Sequence, residues 1–159
     1  MSAFHAEHRE SIEMLLRLVV AMLSGMAIGL NRDLYGKPIG MRTLGLVSLS
    51  SALAVMSGSA YGHAHFDEQA VSRVIQGILT GIGFLGAGVI IRREDGAEVQ
   101  GLTTASTVWM AAALGVTAGL GAWFITIAGN GLALGLLVFG KPVERRLNSF
   151  FGGRKENAD

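Results

Sequence analysis

Residues 102–140 read LTTASTVWMAAALGVTAGLGAWFITIAGNGLALGLLVFG, a stretch without one Asp, Glu, Lys or Arg. A helix crosses the ~30 Å hydrocarbon core of a bilayer with ~20 mostly apolar residues. The stretch is therefore too long for one crossing and long enough for two. The break falls at the glycines around Gly119 and Gly121, which gives two helices, 102–119 and 121–140, in a tight antiparallel hairpin. Three more apolar runs precede them, at 12–30, 43–60 and 71–91. The expected fold is an all-α membrane protein, a bundle of five transmembrane helices. A soluble bundle needs polar outer faces, and none is legible in these runs.

Composition agrees. Half of the 159 residues are hydrophobic and 16% are charged, against ~25% charge in an ordinary soluble chain. Mean hydropathy is +0.46. A net charge of +1, with no basic stripe and no aromatic platform, gives no expectation of nucleic-acid binding. The chain has no cysteine, which excludes disulfides, iron–sulfur clusters and thiolate metal sites. The first residues lack the basic region and cleavage site of a signal peptide, so the first run is read as a permanent span.

Lys and Arg set the expected orientation, because they favour the cytoplasmic side. Arg32, Lys37 and Arg42 lie between the first two runs, Arg92 and Arg93 between the third and fourth, and Lys141, Arg145, Arg146, Arg154 and Lys155 at the end. The connection 61–70 has none; it carries His63, His65, Asp67 and Glu68. The N-terminus is then outside and the C-terminus cytoplasmic, with Arg9 and Arg17 as mild exceptions. The division is an external segment 1–11, a membrane domain 12–140 and a charged cytoplasmic tail 141–159, with Pro142 marking the exit from the fifth helix. The tail is too short to bury a core.

Glycines recur four apart at Gly25/Gly29, Gly77/Gly81, Gly115/Gly119 and Gly131/Gly135. That spacing puts each pair on one helix face, where small residues let two backbones approach. The third run concentrates them in Gly81-Ile82-Gly83-Phe84-Leu85-Gly86-Ala87-Gly88. Two readings fit: a central helix contacted on all sides, or a locally unwound segment whose carbonyls face an ion or solute.

Ionisable groups within a bilayer are functional candidates. No Asp or Glu lies in the middle of any run, which argues against an acid-lined cation path or proton relay. Arg17 is placed to snorkel outward. Gln76, Asn130 and the Thr103/Thr104 pair are the other polar features, with Asn130 expected to hydrogen-bond to another helix and the threonines to cap the fourth. The densest cluster joins the first two runs: Asn31, Arg32, Asp33, Arg42 and Thr43. Asp33 with Arg42 reads either as a structural ion pair or as part of an anion or partner docking site. His63, His65 and Asp67 are weak metal candidates that fall short of a full tetrahedral set. No cofactor is expected. No nucleophile–base pair, phosphate loop or zinc-hydrolase motif is present, so no enzymatic role is expected.

The order of motifs resembles the MgtC/SapB family of bacterial inner-membrane proteins. The motifs are Gly25-Met26-Ala27-Ile28-Gly29-Leu30-Asn31-Arg32-Asp33, Gly36-Lys37-Pro38-Ile39-Gly40-Met41-Arg42-Thr43, residues 81–90, Gly101-Leu102-Thr103-Thr104-Ala105, and Trp109. The resemblance implies five spans, a plasma-membrane location and a link to growth at low magnesium and, in some members, to survival inside macrophages. It implies action on other membrane proteins, the F-type ATP synthase or transport ATPases among them, rather than magnesium transport. Many members have Glu-Arg-Glu where this chain has Asn31-Arg32-Asp33, which puts a role needing both acids in doubt. Longer members carry an ACT-like domain after the fifth helix that these residues do not contain, so functions of that domain are not carried over.

Two functions from different classes follow. The first is a regulatory or stress-adaptation protein acting through partners in the bilayer. The alternative is a transporter or channel for a small ion or solute lined by the third helix. A homo-oligomer suits both.

Overall fold

The computed structural model describes residues 2–58, 68–92 and 99–151. It contains five helices among those residues: α1 (Ser2–Leu34), α2 (Met41–Ser57), α3 (Glu68–Val89), α4 (Leu102–Gly119) and α5 (Trp123–Phe151). Strands β1 (Ile91–Arg92) and β2 (Val99–Gln100) pair antiparallel between α3 and α4, with Ile91 opposite Gln100 and Arg92 opposite Val99. This two-residue ladder was not foreseen; it is too short for an alternating pattern to register.

Four of the helices are long and apolar enough to cross a membrane, and α2, at 17 residues, is a shorter apolar helix. The expected Pro142 boundary does not hold. α5 runs through Pro142 to Phe151. Proline removes one backbone donor from a helix interior, but Glu144, Arg145, Arg146 and Leu147 are strong helix formers and carry the helix onward.

α1, α2 and α4 pack on one another, and glycine pairs make the contacts of α2 with both neighbours. A Cβ added at Gly25 would overlap the Leu44 carbonyl oxygen and lie 2.7 Å from Ser48 Cβ; one at Gly29 would overlap the Met41 backbone. From the other side, a Cβ at Gly115 would overlap the Ser48 carbonyl oxygen, and one at Gly119 would lie 3.0 Å from Ala52 Cα. Ser48 adds a hydrogen bond from its hydroxyl to the Ala21 carbonyl, 2.6 Å. Apolar lipid gives helices no hydrophobic reason to associate, so backbone approach and buried hydroxyl bonds supply the attraction. The core among these three helices is built from Ile28, Leu44, Val47, Val108, Ala111 and Leu114.

The α4–α5 hairpin forms as expected. Gly121 sits at φ 73°, its N–H bonds the Ala118 carbonyl at 2.9 Å, and the Ala122 N–H reaches the Thr117 carbonyl at 2.9 Å. That pair of bonds around a left-handed glycine closes the last helical turn. Arg17 reinforces it. Arg17 reaches back toward the N-terminal end of α1, donating to the Gly119 carbonyl at 3.3 Å and pairing with Glu13, which places a cation at the negative end of α4. Thr126 ties α5 to α4 through a 2.9 Å bond to the Thr117 hydroxyl, a link that sequence reading passed over.

α3 is neither central nor unwound. It is a continuous helix that packs chiefly on α4. Nothing lies within 4 Å of a Cβ added at Gly77, Gly81, Gly83 or Gly88. Only Gly86 has a neighbour, Ala105 Cβ at 3.7 Å, an ordinary contact.

Candidate functional site

The α1–α2 turn, β1–β2 and the start of α4 meet at one end of the bundle. Arg32, in the last turn of α1, is 4% exposed. Its guanidinium donates to the Thr104 hydroxyl and, at 3.2 Å, to the Pro38 carbonyl. Nε is buried without a hydrogen-bond partner, and no carboxylate among the described residues pairs with this cation. One buried positive charge thus ties the end of α1, the turn and α4 together through neutral oxygens. Buried charges normally have a counter-charge, so this is the most unusual electrostatic feature among the described residues.

Asp33 faces the other way. It is exposed, and its Oδ2 accepts the Met41 N–H at 2.9 Å. The expected ion pair with Arg42 is absent. The carboxylate instead satisfies the first free donor of α2, whose N-cap, Gly40, has no side chain to do so. A Cβ at Gly40 would overlap the Asp33 carboxylate, so a side chain there would push that carboxylate off the Met41 N–H. Asp33→Ala is expected to destabilise the protein by ~1 kcal/mol, the usual cost of a lost cap, and Asp33→Asn by much less, since an amide oxygen still accepts. Urea unfolding in detergent would measure both.

Ile39 stands at φ 62°. A β-branched residue in the left-handed region is strained by roughly 1–2 kcal/mol, and such strain gathers where a fold holds a functional geometry. The strained residue sits between Pro38, which holds Arg32, and Gly40, which meets Asp33. Gly101, the N-cap of α4, also lies in the left-handed region at φ 94°. A Cβ there would overlap the Val89 carbonyl oxygen, so the end of α3 and the start of α4 touch through backbone.

The remaining candidates divide. Asn31 is half-buried, while Arg42 and Thr43 are exposed beside the turn. Thr103 is exposed and Thr104 buried, and neither side chain caps α4. Gln76, Gly81, Gly83 and Gly88 are exposed on α3, and Gly86 is half-buried. Asn130 is half-buried, and its Oδ1 has no partner, so that oxygen lacks the expected interhelical bond. His63, His65 and Asp67 lie outside the described residues. Among the described residues no three His, Cys, Asp or Glu side chains gather as a metal site would require.

α3 carries two polar side chains on its outer side. Val71, Ile75, Ile78 and Ile82 face the bundle. Gln76, Gly77, Thr80 and Gly81 face away, all exposed. Gln76 and Thr80 are polar side chains on an outer face that is otherwise lined by glycine and apolar residues: the Thr80 hydroxyl bonds the Gln76 carbonyl at 2.8 Å, and Phe84, one turn on, is 83% exposed. α5 is ordinary by comparison: Phe124, Ile127, Leu132, Leu136 and Phe139 cover its outer side, each at least 65% exposed.

Apolar helices of spanning length and a sealed polar knot at one end define an integral helical membrane protein. The description "MgtC family" matches residues 18–146. The chain is 44% identical over 137 residues to protein SrpB of Synechococcus elongatus, covering 81% of this chain and 75% of that one. It is 37% identical over 142 residues to the putative magnesium transporter YhiD of Escherichia coli, covering 86% and 65%. To protein MgtC of Salmonella typhimurium it is 35% identical over 134 residues, covering 84% and 55%. The match thus spans about half to two thirds of the length of the Escherichia and Salmonella relatives. No solved structure matches the chain. The protein belongs to the MgtC family.

Proposed function

We propose that this protein is a regulatory membrane protein of magnesium-stress adaptation, and that it acts by docking the outer face of α3 against another membrane protein. One observation carries the reading: the exposed Gln76, Gly77, Thr80 and Gly81. Gln76 stands eight residues beyond Glu68, the first residue of α3, which at 1.5 Å per residue is about 12 Å along the helix. Gln76 lies about 4.5 Å along the helix from the exposed Arg73, just inside the outer interface, where a second helix lying on the glycines can accept its hydrogen bonds. The family resemblance supports a multi-pass partner such as the ATP synthase or a transport ATPase.

In this reading all five helices cross the plasma membrane of a bacterium. α2 has 17 residues, about 26 Å of helix, at the short end of what spans. The knot around Arg32 lies on the cytoplasmic side with the larger share of Lys and Arg. Arg9, Arg17 and also Arg73 remain on the outer side.

Gly81→Leu separates docking from folding. No atom lies within 4 Å of the added Cβ, so the variant should accumulate and melt like the parent. It should fail to restore growth at low magnesium in a strain lacking the gene. Parental growth would remove this face from the function. The name of the Escherichia relative favours a second reading, magnesium transport. Protein-dependent Mg²⁺ entry into sealed liposomes, blocked in Gly83→Leu, would establish it in place of docking.

A further inference from the structure

An apolar groove of about 220 Å³ opens between α2 and α3. Val47 and Val108 form its floor, Phe84 and Gly88 one wall, and Ile39 and Thr43 its end. It is open on the flank. Phe84 is 83% exposed, and nothing lies within 4 Å of a Cβ built at Gly88. The closed end is the α1–α2 turn, where charge is one-sided. Arg32, Lys37 and Arg42 stand against a single carboxylate, Asp33, and Asp33 is already engaged by the Met41 N–H. Lys37 and Arg42 are exposed, and Arg42 makes no ion pair among the described residues. Arg32 adds a buried positive charge with no counter-ion among those residues. α4, which begins here, has a glycine N-cap without a side-chain bond, so its positive end adds to the field, whereas that of α2 is met by Asp33.

We infer that this groove is a binding site for an anionic phospholipid, one acyl chain lying along Val47 and Val108 and the phosphate held at Arg42. The two halves of the site demand both halves of such a ligand. An apolar helix filling the groove would leave the turn's charge unmatched. A free anion would leave the groove empty. A zwitterionic lipid would fill the groove but gain little from the turn. Juxtamembrane basic residues attract anionic lipid with about 1 kcal/mol each, or about fivefold in affinity. Phe84 and Gly88 continue the Gly77/Gly81 stripe of α3 toward the end of the helix, but lipid retention is read on the isolated chain without any partner protein, so this inference and the docking role of α3 fail separately.

The test is native mass spectrometry of the full chain released from bilayers holding equal phosphatidylglycerol and phosphatidylcholine. The parent should keep one phosphatidylglycerol per chain in about fivefold preference. Arg42→Ala should retain lipid with the preference reduced to near parity. Gly88→Leu should fill the groove and retain neither lipid, while melting like the parent because the added side chain enters open space. Millimolar inorganic phosphate should not displace the lipid. Equal retention of the two lipids by the parent would overturn the inference, as would undiminished phosphatidylglycerol on Gly88→Leu or displacement by phosphate.

Discussion

Gly115→Leu is expected to destabilise the protein severely. Even a methyl group at this position would overlap the Ser48 carbonyl oxygen. The obstacle is backbone in the middle of α2, at Ser48, which Gly25 of α1 also packs against, so a shift of α2 disturbs its packing on α1 as well. Overpacking a tight contact costs 1–3 kcal/mol where side chains can shift. Here a helix must move, so about 3 kcal/mol or more is expected, a large part of the 5–15 kcal/mol that holds a typical domain. Gly131→Leu is the matched control. It adds the same side chain to a glycine with nothing within 4 Å and should leave stability within about 0.5 kcal/mol. Thermal unfolding in detergent, read by circular dichroism, would compare them.

Thr104→Val should have the second largest effect. Valine keeps the shape and removes the hydroxyl that accepts from Arg32. The guanidinium would then keep only the Pro38 carbonyl, with Nε already unpaired. Stranding a buried charged donor costs more than the 1–3 kcal/mol typical of a neutral one, so about 3 kcal/mol is expected. Thr103→Val, one residue away and exposed, should stay within about 0.5 kcal/mol. Equal effects would mean that the bond from Arg32 to Thr104 does not hold the two helices together.

The apolar runs were legible because a bilayer makes length and hydropathy nearly decisive. The fourth helix, 102–119, was read to its observed bounds, since a glycine marks each end. What the runs pack against was not legible. All four spaced glycine pairs look alike in sequence, yet Gly25/Gly29 and Gly115/Gly119 meet backbone while Gly77/Gly81 and Gly131/Gly135 meet nothing. Spacing says that a face is small; it does not say which helix lies opposite. The cluster from Asn31 to Thr43 was recognised as a unit, but its wiring was not. Arg32 finds Thr104 across 72 positions of chain, and Asp33 takes a backbone N–H where a side-chain partner was expected. The outer face of α3 emerged only once Val71 and Ile82 were seen to point inward.

The central claim is that the outer face of α3 touches a partner protein in the bilayer. It is tested most directly by placing a photo-crosslinking residue at Thr80 and, separately, at Leu136 of α5, then irradiating living cells grown at low magnesium. The account predicts a discrete adduct with another membrane protein from Thr80, lost in the Gly81→Leu background, and none from Leu136. The absence of a Thr80 adduct, or the same adducts from both positions, would contradict it.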